Sequence, residues 1–566
     1  MSNDKGSMPK TCLPPWSEAD LPEPKPMGMR NWSAFIGPGI VMCGIQIAGG
    51  EWLVGPEITA RYGGGLMWIA TIAILVQVFY NMECGRYALY TGEPIMTGFL
   101  RSKPGPRFWV GVFLLMSSGA IIPGMTTQAA AVITAIIIDR PPGEADRVMV
   151  MTFAYLLFIA VAIPVLVGGK IYNMMQAVMT TKVVLVLGFC LLVGLFFVSA
   201  EKWFDVFSGF FKFGNVPVSD GEGGEKVVNA VGYYFSEGEW PLISLANIAV
   251  LGAFAGFAGG GGMGNSTYSN YVRDKGWGMG SLVGAIPSAV GGKGVTLSHL
   301  GTVFPVNSEN LRRWKIWWKY ILTDQWIVWA PGCFVGMALP ALLSIQFAQY
   351  SPVFNAKEES QSAAVAKQNP GQEKATQGDN SRPKEEAKKD NFTWSQPVIA
   401  ADGMRHAPGF SRGWQRVMWL ATCLIGLIVL LPSGMSIVED ISRRWTDVIW
   451  SANSRVRETM KDDQVKTIYY SILFGYVAWC LVALTVFSFI GTPKLMILIV
   501  ANMNNLAIGF TAIFILRVNT RLLPPELRPR WYNRAGMIAC GVFYMGLAAL
   551  VFARTVPQIW AIVFGK

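Results

Sequence analysis

The chain has 566 residues, of which 52% are hydrophobic and only 15% are charged. Apolar stretches of membrane length recur along almost the whole chain, which excludes an ordinary soluble protein and predicts one large membrane domain. The formal net charge of +11 does not indicate a nucleic-acid partner, because the basic residues gather in alternate connections between the apolar stretches. The eight cysteines are isolated along the chain and lack metal-ligand spacing. They are predicted to pack in the protein interior and not to form disulfides.

The chain begins with a polar, proline-rich tail at 1–30, and a cleaved signal peptide is not expected because no apolar core precedes a small-residue cleavage site. Eleven membrane-spanning helices are predicted after this tail. Their bounds are 33–62, 65–90, 107–137, 148–168, 171–198, 240–273, 319–346, 413–441, 466–490, 494–517 and 535–562. The predicted fold class is therefore an all-α polytopic membrane protein.

Glycine interrupts two of the predicted helices in mid-span. Gly49 and Gly50 interrupt the first, and glycine occupies every position of 259–262 in the sixth. The two breaks lie at corresponding places in two successive sets of five spans. Because lipid cannot satisfy free backbone N–H and C=O groups, irregular backbone at this depth is tolerated only where it lines a polar cavity. The pattern predicts two inverted repeats, spans 1–5 and 6–10, with a binding site at the bilayer midplane.

The predicted spans divide the chain into seven segments. These are the N-terminal tail 1–30, the first five-helix repeat 31–198, an extramembrane loop 199–239, helices 6 and 7 at 240–354, an insert 355–408, helices 8–10 at 409–518 and helix 11 at 519–566. The insert is rich in Lys, Glu, Gln, Ala, Asn and Pro, and such a composition cannot bury enough apolar surface to offset its ordering entropy. It is predicted to be disordered, either as a solvated linker or as an interaction segment.

Basic residues cluster in the second, sixth, eighth and tenth connections, whereas the fifth connection is acidic. With eleven spans, the even-numbered connections lie on the same side of the membrane as the N-terminus. The positive-inside rule therefore predicts a multi-pass protein of the cell membrane whose N-terminus is cytoplasmic. Membrane lipid is a predicted partner, and the oligomeric state does not follow from the sequence.

The sequence contains no recognisable catalytic cluster. The two histidines, His299 and His406, lie in a loop and in the insert, away from any nucleophile or acidic cluster along the chain. The G-x-S-x-G, H-E-x-x-H and phosphate-loop motifs do not occur. The prediction is a protein that is not an enzyme and holds no cofactor, for which a divalent metal ion would be a substrate.

The first break offers groups that suit ions. The half-helix before it ends near Gln46 with free carbonyls, which attract a cation, and the half-helix after it begins near Gly50 with free N–H groups. Ala48 and Gly49 lie in the break itself. Glu51 follows, and an acid at the bilayer centre costs about 2.5–3.5 kcal/mol on insertion scales, which favours a functional role. The alternative is that Glu51 caps the half-helix or pairs with a structural Arg or Lys.

The sixth and tenth spans supply further candidates. Met263 offers a soft thioether and Asn265 an amide oxygen, close to the backbone of Gly261. In the tenth span, Asn502 and Asn505 share one helix face at i, i+3 spacing. Amides within lipid need partners, so this face is predicted to point inward. The alternative for the methionine is packing, and for the two asparagines it is hydrogen bonding between helices.

Three other polar features lie within the predicted spans: Lys182 in the fifth, Asp324 in the seventh, and the charged run 439–444 at the end of the eighth. The charged run is predicted to lie at the membrane interface. For Asp324, an interfacial role and a place in an ion pathway both stay open.

Three stretches carry a family resemblance. Gly37-Pro38-Gly39 precedes the apolar run to the first break, the second span ends in Arg86-Tyr87-Ala88-x-x-Thr91-Gly92, and the eighth ends in Ser-Gly-Met-Ser-Ile-Val-Glu-Asp-Ile-Ser-Arg-Arg at 433–444. These stretches resemble the Nramp (natural resistance-associated macrophage protein) family of divalent-metal transporters. The resemblance implies the LeuT-type fold, a 5+5 inverted repeat with broken helices 1 and 6.

The chain departs from this family at the site itself. Ala48-Gly49-Gly50-Glu51 stands where the family has Asp-Pro-Gly-Asn, and 261–264 stands where it has Met-Pro-His-Asn. Tyr268 replaces the histidine that the family links with proton transfer, and the third span offers Gln128 in place of a carboxylate. The usual ligands and proton relay are lost, so the family's proton-coupled uptake of manganese or iron is not carried over to this chain.

The sequence predicts a transporter that moves a small cation, above all a divalent metal ion, by alternating access. Glu51, Met263 and Asn265 are the predicted metal ligands, with backbone carbonyls of the breaks and the amides of Gln46 and Asn502 as helpers. One carboxylate with neutral oxygens suits a divalent cation that retains some water. Two alternatives are transport of a small organic solute, such as an amino acid or amine, and a non-transporting sensor with the same fold.

Overall fold

The computed structural model describes residues 11–167, 169–219, 225–245, 247–355, 394–490 and 493–564. Nine helical segments of this part are long and apolar enough to cross a membrane. They are Trp68–Thr91, Ser118–Ile138, Glu144–Leu166, Ile171–Phe197, Ser308–Tyr350, Arg412–Ala452, Asp462–Val486, Pro493–Leu522 and Trp531–Arg554, numbered here as spans 2, 3, 4, 5, 7, 8, 9, 10 and 11. Spans 1 and 6 are each divided by a break. The predicted all-α polytopic fold with broken helices 1 and 6 is confirmed.

Span 1 is broken over two residues. It consists of the helix Pro38–Gln46, the π-helical turn Gly49–Val54 and the helix Gly55–Tyr62. Pro38 starts the first half, a position at which its missing N–H is not needed. Ile47 and Ala48 leave helical geometry, with φ and ψ of −153° and −104° at Ala48. The break therefore lies where the glycine pattern predicts it.

Span 6 is broken over a longer stretch. It consists of the helix Ile248–Phe257, the 3-10 turn Gly262–Thr267 and the helix Tyr268–Asp274. Between the first helix and the turn, φ is +75° at Gly259 and +126° at Gly260. Side chains with a Cβ rarely adopt such angles, so these two positions require glycine. The glycine run is thus a consequence of the path that the backbone takes through the break.

The spans differ in how much of their surface faces lipid. In the most apolar stretch of span 2, 72% of the residues are buried within the protein, whereas the share is 33% in spans 5 and 9. The exposed residues of the latter are large and apolar, for example Val184 in span 5 and Val482 in span 9. Span 2 therefore lies inside the bundle, in contact with both halves of span 6, and spans 5 and 9 lie towards its edge.

The third predicted span, 107–137, is not one continuous helix. A helix Pro106–Met116 is followed by the 3-10 turn Ser118–Ile121 and then by the helix Gly124–Ile138. Pro123 lacks the N–H that would continue the hydrogen-bond ladder, and it disfavours helical geometry in the residue before it. The prediction of an unbroken third span is therefore corrected, and span 3 becomes a third interrupted helix.

The other elements are short. The helices are Trp32–Phe35, Ile95–Arg101, Ala200–Gly209, Ala230–Glu237, Gly280–Val283, Ile399–His406 and Ser454–Thr459. The strand pairs are Ser17–Glu18 with Thr302–Val303 (parallel) and Asn215–Ser219 with Glu225–Asn229 (antiparallel). The antiparallel pair belongs to the predicted extramembrane loop 199–239. In that loop the Asp205 carboxylate accepts the N–H of Gly64 at 2.8 Å, which joins the loop to the connection between spans 1 and 2.

The predicted disordered insert, 355–408, is ordered at its C-terminal end. Residues 394–406, called the docked segment below, are described in full, and both Trp394 and Met404 are buried. The segment packs against spans 3, 7 and 8. The prediction of disorder is wrong for these residues, because they carry enough aromatic and aliphatic surface to pack on the bundle. Residues 356–393 lie outside the described part, so the prediction is not tested there.

Trp394→Ala is expected to release the docked segment, because removing a buried indole costs about 3–5 kcal/mol. The indole also donates to Glu144 at 2.7 Å, a bond that the substitution removes. Amide hydrogen exchange of 394–406 should then accelerate at least tenfold, with little change in the membrane spans. Trp240 is 64% exposed, so Trp240→Ala is the matched control. Unchanged exchange in Trp394→Ala would mean that other contacts hold the segment.

Candidate functional site

A cavity of about 150 Å³ lies between spans 1, 3, 6, 8 and 10. The residues of spans 1 and 6 that line it at the breaks are Gln46, Ala48, Gly49, Gly260, Gly261, Met263, Gly264 and Asn265. The other three spans contribute, among others, Ser117, Gly124, Ser433, Asp440, Arg444 and Asn504. Both helix breaks therefore face one common space, as the inverted-repeat pattern predicts.

Glu51 joins the two breaks. Its carboxylate accepts the N–H of Ala48 in span 1 and the N–H of Gly259 in span 6, both at 3.4 Å. The side chain is fully buried and is not among the residues that line the cavity. A carboxylate has two oxygens that accept, so one acid satisfies a free donor at each break. Glu51 thus bridges the two broken helices from behind the cavity wall. Its predicted role as a ligand of the cation stays a prediction.

Gln46 presents a donor to the cavity. Its Oε1 accepts from the indole N–H of Trp329 and from the thiol of Cys333. An indole N–H only donates, so this contact places the amide oxygen towards span 7. Nε2 then points to Gly260 and has no hydrogen-bond partner among the described residues. In this orientation the amide suits an acceptor, such as a water molecule or a substrate oxygen, and does not suit a cation.

Asn265 is engaged within the protein. Its Oδ1 accepts the N–H of Gly261 at 2.9 Å, and its Nδ2 donates to Gln77 at 2.7 Å. Gln77 in turn donates to the carbonyl of Ala258 at 2.7 Å. These bonds fasten the break of span 6 to the central span 2. Asn265 lines the cavity, but its oxygen is occupied by the backbone that it supports.

Asp440 and Arg444 bring opposite charges to the cavity wall. Their Oδ2 and Nη2 atoms lie 2.5 Å apart, and Asp440 also accepts from the hydroxyl of Thr267 in span 6. Of the side chains that line the cavity in the described part of the chain, Asp440 is the only carboxylate and Arg444 the only basic group. Packing of span 8 against span 6 turns both side chains inward, towards the cavity. Their predicted depth at the membrane interface stays a prediction. The wall carries no net charge.

The rest of the charged run joins span 8 to the second half of span 6. Arg273 pairs with Asp447 at 2.5 Å and with Asp274 at 2.7 Å, and Arg443 pairs with Asp274 and with Glu439. All five side chains are nearly inaccessible. Two guanidinium groups thus face three carboxylates. They lie between the cavity and the side of the membrane on which the N-terminal tail lies. We call these five residues the charge cluster; it too lies inside the protein.

On the opposite side of the membrane, the docked segment closes over the end of span 1. Glu57 pairs with Lys494 of span 10, with 2.5 Å between Oε1 and Nζ. Gln396 of the docked segment donates to Glu57 Oε2 at 2.8 Å. Both members of the ion pair are buried. The second half of span 1 is therefore joined to span 10 and to the docked segment at one point.

No family model matches the sequence, and no curated protein matches it. Solved structures do match. A histidine-to-alanine variant of the manganese transporter of Eremococcus coleocola is 12% identical, covers 97% of this chain and 91% of its own, and has a TM-score of 0.54. The same transporter in complex with an aromatic bis-isothiourea substituted compound is 11% identical, covers 95% and 92%, and has a TM-score of 0.53.

The chain shares the fold of this manganese transporter. At this level of identity the likeness concerns the path of the backbone and not the side chains of the site. The site of this chain is therefore described by its own residues.

Within the manganese-transporter fold, the structure divides the predicted site residues into two sets. Those that line the cavity are Gln46, Ala48, Gly49, Gly261, Met263 and Asn265; those that do not are Glu51, Asn502 and Asn505. Asn502 and Asn505 donate to the carbonyls of Ala249 and Gly252 at 3.0 and 2.9 Å. They bond span 10 to the first half of span 6, which is the alternative that the sequence left open. Their predicted place in the binding site stays a prediction.

The sequence did not predict that residues of spans 3, 8 and 10 line the cavity. Asn504, next to the two predicted asparagines, packs against Gly261 and Gly262 and lines the cavity. The signal for span 3 was Pro123-Gly124 within an apolar helix, which marks a bend. For Asp440, local sequence shows a charge near a helix end but not the direction in which the side chain points.

Proposed function

We propose that the protein transports a small cation by alternating access, with a divalent metal ion as its substrate. The observation that carries this proposal is that two interrupted helices, one from each predicted repeat, face one cavity within the membrane domain. Broken helices at this depth require a polar space beside them. The solved structures of similar fold are of a manganese transporter, which supports the same class of substrate.

The cavity offers three kinds of ligand to a cation. The helix Pro38–Gln46 ends there, so its last carbonyls have no partner within the helix. Met263 supplies a thioether and Asp440 a carboxylate. Among the described residues no group of three or more His, Cys, Asp or Glu side chains is suited to a metal ion. A divalent ion would therefore keep part of its water, and the thioether would favour later transition metals over Mg²⁺ and Ca²⁺.

Two sets of contacts close the path between the cavity and the two sides of the membrane, one set on each side. The charge cluster joins span 8 to the second half of span 6. The Glu57–Lys494 pair and the docked segment join the second half of span 1 to span 10 on the opposite side. The first set holds broken span 6 against span 8, and the second holds broken span 1 against span 10. We infer that the two sets open in turn during transport.

Asp440→Asn is expected to lower Mn²⁺ uptake into proteoliposomes by about tenfold or more, equivalent to about 1.4 kcal/mol of binding free energy. It removes the only carboxylate of the described cavity wall and leaves Arg444 without its counter-charge. Met263→Ala should reduce the preference for Zn²⁺ over Mg²⁺. Asp463→Asn, at an exposed turn, is the matched control. The proposal fails if the wild-type protein moves no divalent ion, or if Asp440→Asn transports as well as the control.

A small organic solute is the second candidate substrate, and two observations favour it. Arg444 Nη1 and Gln46 Nε2 are buried donors without a hydrogen-bond partner among the described residues. Both belong to residues of the cavity wall, and donors of this kind suit a carboxylate. Calorimetric titration of the purified protein with divalent ions and with amino acids separates the candidates. Heat with amino acids alone would favour the organic solute.

We further propose that the N-terminal side faces the cytoplasm and that the membrane is the cell membrane. The N-terminal residues contact the basic connections: Cys12 N–H donates to the carbonyl of Arg101 at 2.9 Å, and Glu23 pairs with Arg312 at 2.9 Å. In these contacts the second and sixth connections lie beside residues 12–23. The positive-inside rule then supports the cytoplasmic side.

A further inference from the structure

Lys182 is a buried basic residue that the proposed site does not use. It lies in span 5, roughly 16 Å along the helix axis from Ile171, the first residue of that helix. Its exposed fraction is 1%. At this depth the side chain cannot extend its amino group to the water outside the membrane. Ionisable groups in such positions are expensive to insert and mark ion or proton pathways.

A single described hydrogen bond holds the amino group. Lys182 Nζ donates to Ser433 Oγ at 2.5 Å, and the Ser433 hydroxyl donates to the carbonyl of Val429 at 2.9 Å. No carboxylate among the described residues lies within 4.0 Å of Nζ. Ser433 lines the cavity. One hydroxyl group therefore separates the Lys182 nitrogen from the space in which the cation is proposed to bind.

Titratable groups reach Lys182 from the neighbouring helices. Glu51 and Cys43 of span 1 interact electrostatically with the Lys182 amino group. Cys333 of span 7 lies close to Glu51 and to Cys43. Span 8 contributes the neutral Ser433. Glu51 is thus the one carboxylate acting on the amino group among the described residues, and it is also the group that bridges the two breaks. The charge on Lys182 acts on the centre of the transport site.

Span 5 also packs closely on the first half of span 1. A Cβ added at Gly44 would lie 2.5 Å from the Cβ of Met179, which is one turn before Lys182. Lys182 therefore stands where spans 1, 5 and 8 meet. Any opening of the first half of span 1 changes the surroundings of its amino group.

We propose that Lys182 binds and releases a proton that is exchanged for the transported cation. An ammonium behind Ser433 and a divalent ion in the cavity repel each other, so each weakens the binding of the other. Thermodynamic linkage requires the same factor in both directions. A lysine can carry out this exchange because its amine form exists inside proteins, whereas an arginine stays charged. This inference rests on the proposed transport of a cation.

The step balances as a simple acid dissociation. When the cation enters, one N–H bond of the ammonium breaks, the electron pair stays on Nζ, and the proton passes to water in the cavity. The amine keeps two N–H groups, so its hydrogen bond to Ser433 is preserved. Once the cation has left, water returns a proton to Nζ.

The test is proton release on Mn²⁺ binding, measured with a pH indicator in weakly buffered detergent solution. The wild-type protein should release up to one proton per bound Mn²⁺, and its Kd should rise as the pH falls. Lys182→Met keeps the unbranched shape but carries no proton, so it should bind Mn²⁺ without release and with little dependence on pH. Lys182→Arg keeps the charge permanently and should bind at least tenfold more weakly. Lys212→Met, in the extramembrane loop, is the matched control.

The outcomes separate this inference from the proposed function. Mn²⁺ binding by the wild-type protein without proton release overturns the inference alone, and so does release that persists in Lys182→Met. The inference is also overturned if Mn²⁺ binding releases a proton but the proton and the cation cross the proteoliposome membrane in the same direction. Absence of Mn²⁺ binding by the wild-type protein overturns the proposed function, and the inference falls with it. If Lys182→Met does not fold, Lys182→Arg decides, because equal proton release there excludes the lysine.

Discussion

Glu51→Gln and Glu51→Ala are both expected to reduce Mn²⁺ uptake at least tenfold and to lower the thermal stability of the metal-free protein. The Glu51 carboxylate accepts one N–H from each break, at Ala48 and at Gly259. Glutamine has one acceptor oxygen, and its NH₂ group would face the other N–H. A hydrogen bond contributes about 0.5–1.5 kcal/mol, and a buried N–H left without an acceptor costs about 1–3 kcal/mol, so loss of one or both bonds weakens the connection between the broken helices.

Stability without metal distinguishes this bridging role from direct coordination. If Glu51 were a ligand, Glu51→Gln would weaken Mn²⁺ binding but leave the metal-free protein as stable as the wild type. If it is a bridge, the metal-free protein unfolds at a lower temperature. Glu201→Gln, at an exposed position of the helix Ala200–Gly209, controls for loss of one acidic residue. Wild-type uptake and stability in both Glu51 variants would refute the bridge.

Gly260→Ala is expected to disrupt the break of span 6, whereas Gly264→Ala in the same stretch is expected to leave the fold intact. At Gly260, φ is +126°, and an added Cβ would lie 2.4 Å from Gln46 Nε2 and 2.5 Å from Asn265 Oδ1. Backbone strain of this kind costs about 1–3 kcal/mol, before the two displaced amides are counted. At Gly264 the added Cβ would have no atom within 4 Å beyond those of the adjoining chain.

The measurement is thermal unfolding of the two variants in the same detergent, followed by Mn²⁺ uptake of whichever variants fold. Gly260→Ala should melt several degrees below Gly264→Ala and transport at background level. Equal melting temperatures would show that the glycine at 260 is not required by the backbone path. Because both variants add one methyl group to the same stretch, a difference between them reports on position and not on composition.

Local chemistry explains why so much of the fold was predictable. Helix length follows from the apolar stretches, because each span must cross the same thickness of lipid. The breaks at Ala48 and Gly260 were visible for a similar reason, since mid-membrane glycine in two matching places signals irregular backbone. Disorder was predicted wrongly for residues 394–406, because composition averaged over 355–408 hid the apolar residues of the docked segment.

The sequence does not predict which individual side chains face the cavity. Asn502 and Asn505 were predicted to face the site, yet Asn504 lines the cavity, because packing on the first half of span 6 decides how span 10 is rotated. Asp440 is a similar case. Helical spacing shows which residues share a face, but it does not show which neighbour that face meets.

The sequence by itself determined the all-helical membrane fold and the place of both main breaks, since the need to satisfy backbone polar groups in lipid acts on each segment separately. Only the tertiary structure decided what surrounds those breaks: that Glu51 bridges them, that Asp440 and Arg444 enter the cavity, and that Lys182 stands behind Ser433. These relations join residues far apart along the chain. They depend on how whole helices rotate and pack against one another, and no local pattern encodes that.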